Sequence, residues 1–142
     1  MKRLSTRTML AGGLFLGTVG LVLLRVYDPA SSGVFPPCPL HYLTGLYCPG
    51  CGSLRAIHQL LLGNLRDAWA MNPLTCLLLP FLIYGLASQA LLRLRGRGLP
   101  QVFLPAASIR ALCAVIVLFG ILRNLPIHPF DLLAPGAMLR LW

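Results

Sequence analysis

From Pro73 to Leu92 the chain runs twenty residues without a charged side chain. About 20 apolar residues cross the roughly 30 Å hydrocarbon core of a bilayer, so this run alone points to a membrane helix. Asn72 is a good N-cap and Pro73 suits the first helical position, and capping accounts for Asn72 in full. Pro80 should kink the helix, which membrane helices tolerate. Arg93, Arg95 and Arg97 should stop it, with Gly96 and Gly98 forming a short loop. Two other runs have the same character. Thr8–Val26 follows the basic Lys2, Arg3 and Arg7, and its length without a clean cleavage site favours an uncleaved span over a signal peptide. Its Gly12, Gly13, Gly17 and Gly20 would let another helix approach closely. Ala106–Leu125 carries Arg110 and Arg123 near its ends, where both can snorkel to the interfaces.

Composition supports this reading. Hydrophobic residues make up 57 % and charged residues 11 %, against roughly 25 % charged in soluble domains. A soluble globule, a disordered tail and a coiled coil are excluded. The 142 residues form a single membrane domain, 1–142. Twelve Lys and Arg against three Asp give a net charge of +9. In a soluble protein this would suggest nucleic acid. Here the basic residues flank apolar runs, so they set topology and no nucleic-acid partner is expected. With the N-terminus in the cytoplasm, Lys2, Arg3, Arg7, Arg93, Arg95, Arg97 and Arg110 lie inside. Arg25, Arg55, Arg66, Arg123 and Arg140 then lie outside.

The expected fold is thus an all-α membrane protein with three spans, near residues 8–26, 73–92 and 106–125. An outer-face Cys/His segment, 36–71, follows the first span, and a proline-rich tail, 126–142, follows the third. Within the outer segment, Ser53 to Leu62 reads as a short helix with Ser53 as its N-cap. Ten residues reach only about 15 Å, so it should lie in the interface or dip partway in. Gly63-Asn64 ends it. A further helical turn, Leu65 to Met71, presents Trp69 as an interfacial anchor.

Chemistry concentrates in Cys38-Pro39-Leu40-His41 and Cys48-Pro49-Gly50-Cys51-Gly52. Cys-x-x-His and Cys-x-x-Cys are metal-ligand spacings, because a two-residue gap lets both side chains turn onto one ion. Cys38, His41, Cys48 and Cys51 would complete a tetrahedral zinc shell. Such a shell is closed, which argues against zinc hydrolysis. A redox reading competes. Cys48 and Cys51 precede a helix whose N-terminus favours thiolate. Arg55 and His58 lie on the stripe of Cys51, and His58 could shuttle protons or replace a ligand. In a third reading, Cys38 and Cys48 pair as a loop staple on an oxidising face. Cys76 and Cys113 read as small hydrophobes. Arg123-Asn124 stands level with the cluster, with Arg123 read as snorkelling. The stiff tail could return His128 or Asp131 to the cluster. No Ser-His-Asp set, carboxylate pair or phosphate loop is present, so an enzyme is not the favoured class.

The ordered run Cys38-Pro39-x-His41, Thr44-Gly45, Cys48-Pro49-Gly50-Cys51-Gly52, Arg55-Ala56, Leu61, Gly63, Ala68 and Asn72-Pro73-Leu74 resembles the bacterial membrane family catalogued as domain of unknown function 2752. Arg123-Asn124-Leu125-Pro126 and Pro129-Phe130 also resemble its C-terminal pattern. The resemblance implies a bacterial inner-membrane location and an important cysteine cluster. It carries no substrate and no catalytic role. The functional expectation is a structural zinc site acting through a homo-oligomer or a membrane partner. The alternatives are a thiol–disulfide oxidoreductase using Cys48 and Cys51, or an accessory subunit of a transporter or secretion complex.

Overall fold

A computed structural model describes residues 6–100, 105–137 and 139. Lys2, Arg3 and Arg140, counted above for topology, lie outside the described residues, as does the Arg7 side chain. All regular structure among the described residues is helical, with no strand. Helix α1 is Thr6–Val26, α2 Pro39–Thr44, α3 Ser53–Leu62, α4 Leu65–Met71, α5 Pro73–Arg95 and α6 Ala106–Leu122, and a 3-10 turn covers Phe130–Leu133.

Two of these helices, α1 over Thr8–Val26 and α5 over Pro73–Arg95, are long and apolar enough to cross a membrane. The third expected span is shorter. Helix α6 has 17 residues, about 26 Å of rise, and it stops at Leu122 instead of Leu125. Its last turn tightens, with Asn124 N–H donating to the Ile121 carbonyl and Leu125 N–H to that of Leu122. Asn124 also spends its side-chain amide on Gly120 O at 2.7 Å, and Pro126 cannot continue a helical ladder. Helix α5 errs the other way and runs through Arg93 to Arg95. Arginine is a good helix former and its charge suits the C-terminal dipole, so the stop is Gly96, whose N–H closes on Leu92 O at 3.0 Å.

The short helices α3 and α4 end where the sequence placed them. Helix α3 closes at Gly63, with Asn64 N–H reaching back to Gln59 O at 2.9 Å. Its N-cap, however, is Gly52 with φ +82°, and Ser53 is the first helical residue. A Cβ at position 52 would stand 2.6 Å from Met71 O, so only glycine fits the turn that leads out of the cysteine motif. Helix α2 was not expected. Pro39 begins it and Gly45 ends it in the left-handed region.

Packing is inside out relative to a soluble globule. Among the described residues the buried ones are mostly small or polar: Ala56, Ala68, Ala70, Cys51, His58, Asn72, Pro73 and Arg123, with Leu24. Large apolar side chains such as Phe15, Leu16 and Phe81 are about seven-tenths exposed, which water would not tolerate over so wide a surface but lipid does. Small residues let helices approach, and polar side chains tie them together. Helix α3 packs against α1, α4 and α5. Helix α6 meets the chain at the cysteine loop. A Cβ on Gly120 would lie 3.2 Å from Pro49 Cδ, so its lack of a side chain is what permits the approach. The four glycines of α1 have open space at their Cβ positions, so none of them is needed for a close helix approach among the described residues.

Candidate metal centre

The Cys38, Cys48 and Cys51 sulfurs all lie within 4.8 Å of one another. Cys38 Sγ is 3.5 Å from Cys48 Sγ, and Cys48 Sγ is 3.3 Å from Cys51 Sγ. All three are free thiols, including the Cys38 and Cys48 read as a loop staple. Zinc–sulfur bonds of about 2.3 Å in a tetrahedron place sulfurs about 3.8 Å apart. The three thiols are therefore close enough to hold one metal ion.

Local folding explains the convergence. Cys38 is the N-cap residue of α2, in extended backbone. Cys48 to Cys51 form a tight turn, with Cys51 N–H on Cys48 O and Ser53 N–H on Gly50 O, each at 3.0 Å. Such a turn leaves carbonyls without helical partners, and buried carbonyls need donors. Three side chains from distant parts of the chain supply them. Asn72 Nδ2 donates to Pro49 O at 3.0 Å and Cys51 O at 3.1 Å. Arg123 Nη1 donates to Cys48 O at 3.0 Å and Pro49 O at 3.3 Å. Asn124 clasps the Tyr47 backbone from both sides, accepting from its N–H and donating to its carbonyl, each at 2.8 Å.

These contacts correct three expectations. Asn72 does cap α5, its Oδ1 accepting from Thr75 N–H at 3.1 Å, but capping is only half of its role. Arg123 does not snorkel. It is 1 % exposed, drawn inward by the turn carbonyls and lying over the Phe119 ring at 4.9 Å. His58 does not serve the cluster. It is buried against α1, with Nδ1 on the Leu24 carbonyl, because α3, which starts only at Ser53, carries it away from Cys51 onto the face packed against α1.

Other candidates also find their places. His41 does not join the sulfur set. Its Nδ1 bonds Gly45 O at 3.1 Å, and its ring stacks on Tyr47 at 4.5 Å. It lines the same cavity of about 340 Å³ as Cys38, Cys51, Ser53, Arg55 and Pro135. The tail does fold back, but through Gly136 N–H on Ala70 O at 3.1 Å. His128 instead faces Asp131 at 3.4 Å, well exposed. Sequence reasoning missed the donors Asn72, Arg123 and Asn124. A usable signal was present, because a chain with three acids offers an inward-facing arginine little except carbonyls and thiols.

The thiols differ in proton affinity. The His41 backbone N–H, then the Cys51 thiol, stabilise charge on Cys38 and lower its pKa to about 7. Burial, then the neighbouring Cys48 and Cys38, push Cys51 up to about 12. Between Cys38 and Cys51, negative charge therefore settles first on Cys38, the member at the start of α2.

Comparison with known proteins yields one family. The family model described as Protein of unknown function (DUF2752) matches residues 38–86. No curated protein and no solved structure matches the chain. The matched segment begins at Cys38, takes in all three clustered cysteines and Asn72, and ends within α5. Over residues 38–86, about a third of its length, the chain is similar to the family described as Protein of unknown function (DUF2752).

Proposed function

We propose that this chain is a small bacterial inner-membrane protein in which Cys38, His41, Cys48 and Cys51 hold a structural zinc ion. The convergence of three sulfurs within 4.8 Å carries the reading. We propose His41, which lines the same cavity but lies outside the convergent sulfurs, as the fourth ligand. Its Nδ1–H on Gly45 O matches the usual pattern in which a ligand histidine donates its other ring N–H to a carbonyl, and this leaves Nε2 to the metal. The N-terminus is cytoplasmic, α6 with the turn to Leu125 makes a third span, and the zinc segment lies on the outer face. The ion fastens α2 to the turn before α3 and so shapes a surface for a membrane partner or a second copy of the chain. Purified in mild detergent, the protein is expected to carry about one zinc per chain, with cluster thiols that react only after chelation. Unchanged metal content and folding in Cys48→Ser would sink the reading.

A second reading has its own support. Cys48 and Cys51 are 3.3 Å apart, and Cys51 lines an open cavity together with Arg55. As a thiol–disulfide oxidoreductase, Cys48 would attack a substrate disulfide and Cys51 would resolve the mixed disulfide, reducing the substrate as the pair oxidises. Cys51→Ser should then trap a mixed disulfide that the double variant does not. Its absence, with zinc bound, decides for the metal.

A further inference from the structure

The second functional clue is a buried cation with no anionic partner among the described residues. Arg123 is one of the two largest fully buried side chains. Its Nε and Nη2 find no acceptor among the described residues. The acidic side chains of the chain are Asp28, Asp67 and Asp131, and none pairs with Arg123 within the described residues. Asp131 faces His128, and Asp28 bonds its own turn at Ala30 and Ser31. Two turn carbonyls and the rings of Phe119 and Tyr47 face the guanidinium, but they supply dipoles and no charge. A guanidinium in such a place is costly unless a negative charge compensates it. The guanidinium sits on the sulfur loop itself, with Nη1 donating to Cys48 O at 3.0 Å and to Pro49 O at 3.3 Å, and Cys48 belongs to the sulfur trio.

Charge counting gives the trio's share. A divalent ion bound by three thiolates and one neutral imidazole leaves a net charge of minus one. Resting on the metal reading above, we infer that Arg123 is the counter-charge of this centre, so that metal, ligands and guanidinium together are neutral in an apolar setting. The arginine also holds the turn through Cys48 O and Pro49 O, but its charge is the property the site requires. It is thus a positioning and charge-balancing residue, not a ligand.

The test uses full-length protein in detergent and zinc titrated against a competing chelator. Removing a residue next to the ligands typically weakens metal binding about 10–100-fold, and Arg123→Met is expected to fall in that range. Arg123→Lys keeps the charge and is expected to stay within about fivefold of wild type on the same scale. The deciding variant changes the charge of the shell instead. Cys38→His makes a two-thiolate, two-imidazole centre that is neutral with a divalent ion. Alone it leaves Arg123 uncompensated and should weaken zinc binding. Combined with Arg123→Met it should restore binding above that of Arg123→Met alone, and it should do so even if the single variant folds poorly. Losses that simply add, or a lysine variant as weak as the methionine one, would show that Arg123 acts only by shape and would overturn the inference. Wild-type protein that takes up no zinc would overturn the metal reading as well, so the two failures are distinct.

Discussion

Asn72→Ser separates two accounts of one side chain. Serine and asparagine are comparable N-caps. If capping α5 were the whole role of Asn72, the variant would lie within about 0.5 kcal/mol of wild type on that scale. The structure demands more. Serine Oγ takes the place of the amide carbon, so it falls about 1.3 Å short of where Nδ2 stood. Pro49 O keeps Arg123 as a donor. Cys51 O has Asn72 Nδ2 as its donor and would be left bare in a site where Asn72 is 0 % exposed. An orphaned buried acceptor costs about 1–3 kcal/mol. With the small void left by the amide, the expected loss is about 2–4 kcal/mol. Scaled as for soluble domains of this length, that lowers Tm by roughly 6–16 °C. Thermal unfolding in detergent micelles, followed by near-ultraviolet circular dichroism, measures it. A Tm within about 2 °C of wild type would refute the dual role of Asn72 and return it to plain capping.

Further outcomes follow from the same geometry. Gly52→Ala should destabilise by more than the roughly 1–2 kcal/mol of a left-handed alanine, because its Cβ meets Met71 O at 2.6 Å. Gly50→Ala, with its nearest contact at 3.8 Å, should accumulate and fold as wild type does, and comparing the two by size-exclusion chromatography checks both. In metal-free protein, alkylation of Cys38 should rise as pH climbs through about 7, where its thiolate forms. Cys51, pushed up to about 12, should stay protonated and slow over the same range, and peptide mass mapping reads each site. His58→Phe should cost about 1–3 kcal/mol by leaving the Leu24 carbonyl without this partner, yet zinc content per chain should not change. A loss of zinc in that variant would reinstate His58 in the site.

What could be read from the sequence was local. The apolar runs, the Asn72-Pro73 start of α5 and the Gly63 end of α3 each follow from neighbours within a turn or two, and α3 and α4 appear with the expected bounds. The spacing of the cysteines also said correctly that the three thiols lie close. What escaped was everything that required knowing a distant partner. Arg123 lies 75 residues from Cys48 and Asn124 lies 77 from Tyr47. An arginine at the end of an apolar run looks the same whether it snorkels to water or turns inward to carbonyls. The inward choice depends on Gly120 letting α6 reach Pro49. His58 was misplaced for a related reason. A helical stripe says which residues share a face, but only packing on α1 decides which partner that face meets.

The clasp from Arg123 and Asn124 has a consequence for how the molecule is made. The cysteine turn emerges from the ribosome long before the residues that hold it in shape. Until the end of α6 arrives, the carbonyls of Tyr47, Cys48 and Pro49 lack those donors, and the three thiols have no fixed geometry to offer an ion. An excised peptide spanning 36–71 should therefore be a poor mimic of the site. On the proposed metal reading, capture would report that α5 and α6 are both in place, and the ion would act as a seal on completed assembly while the newborn chain stays briefly open to oxidation.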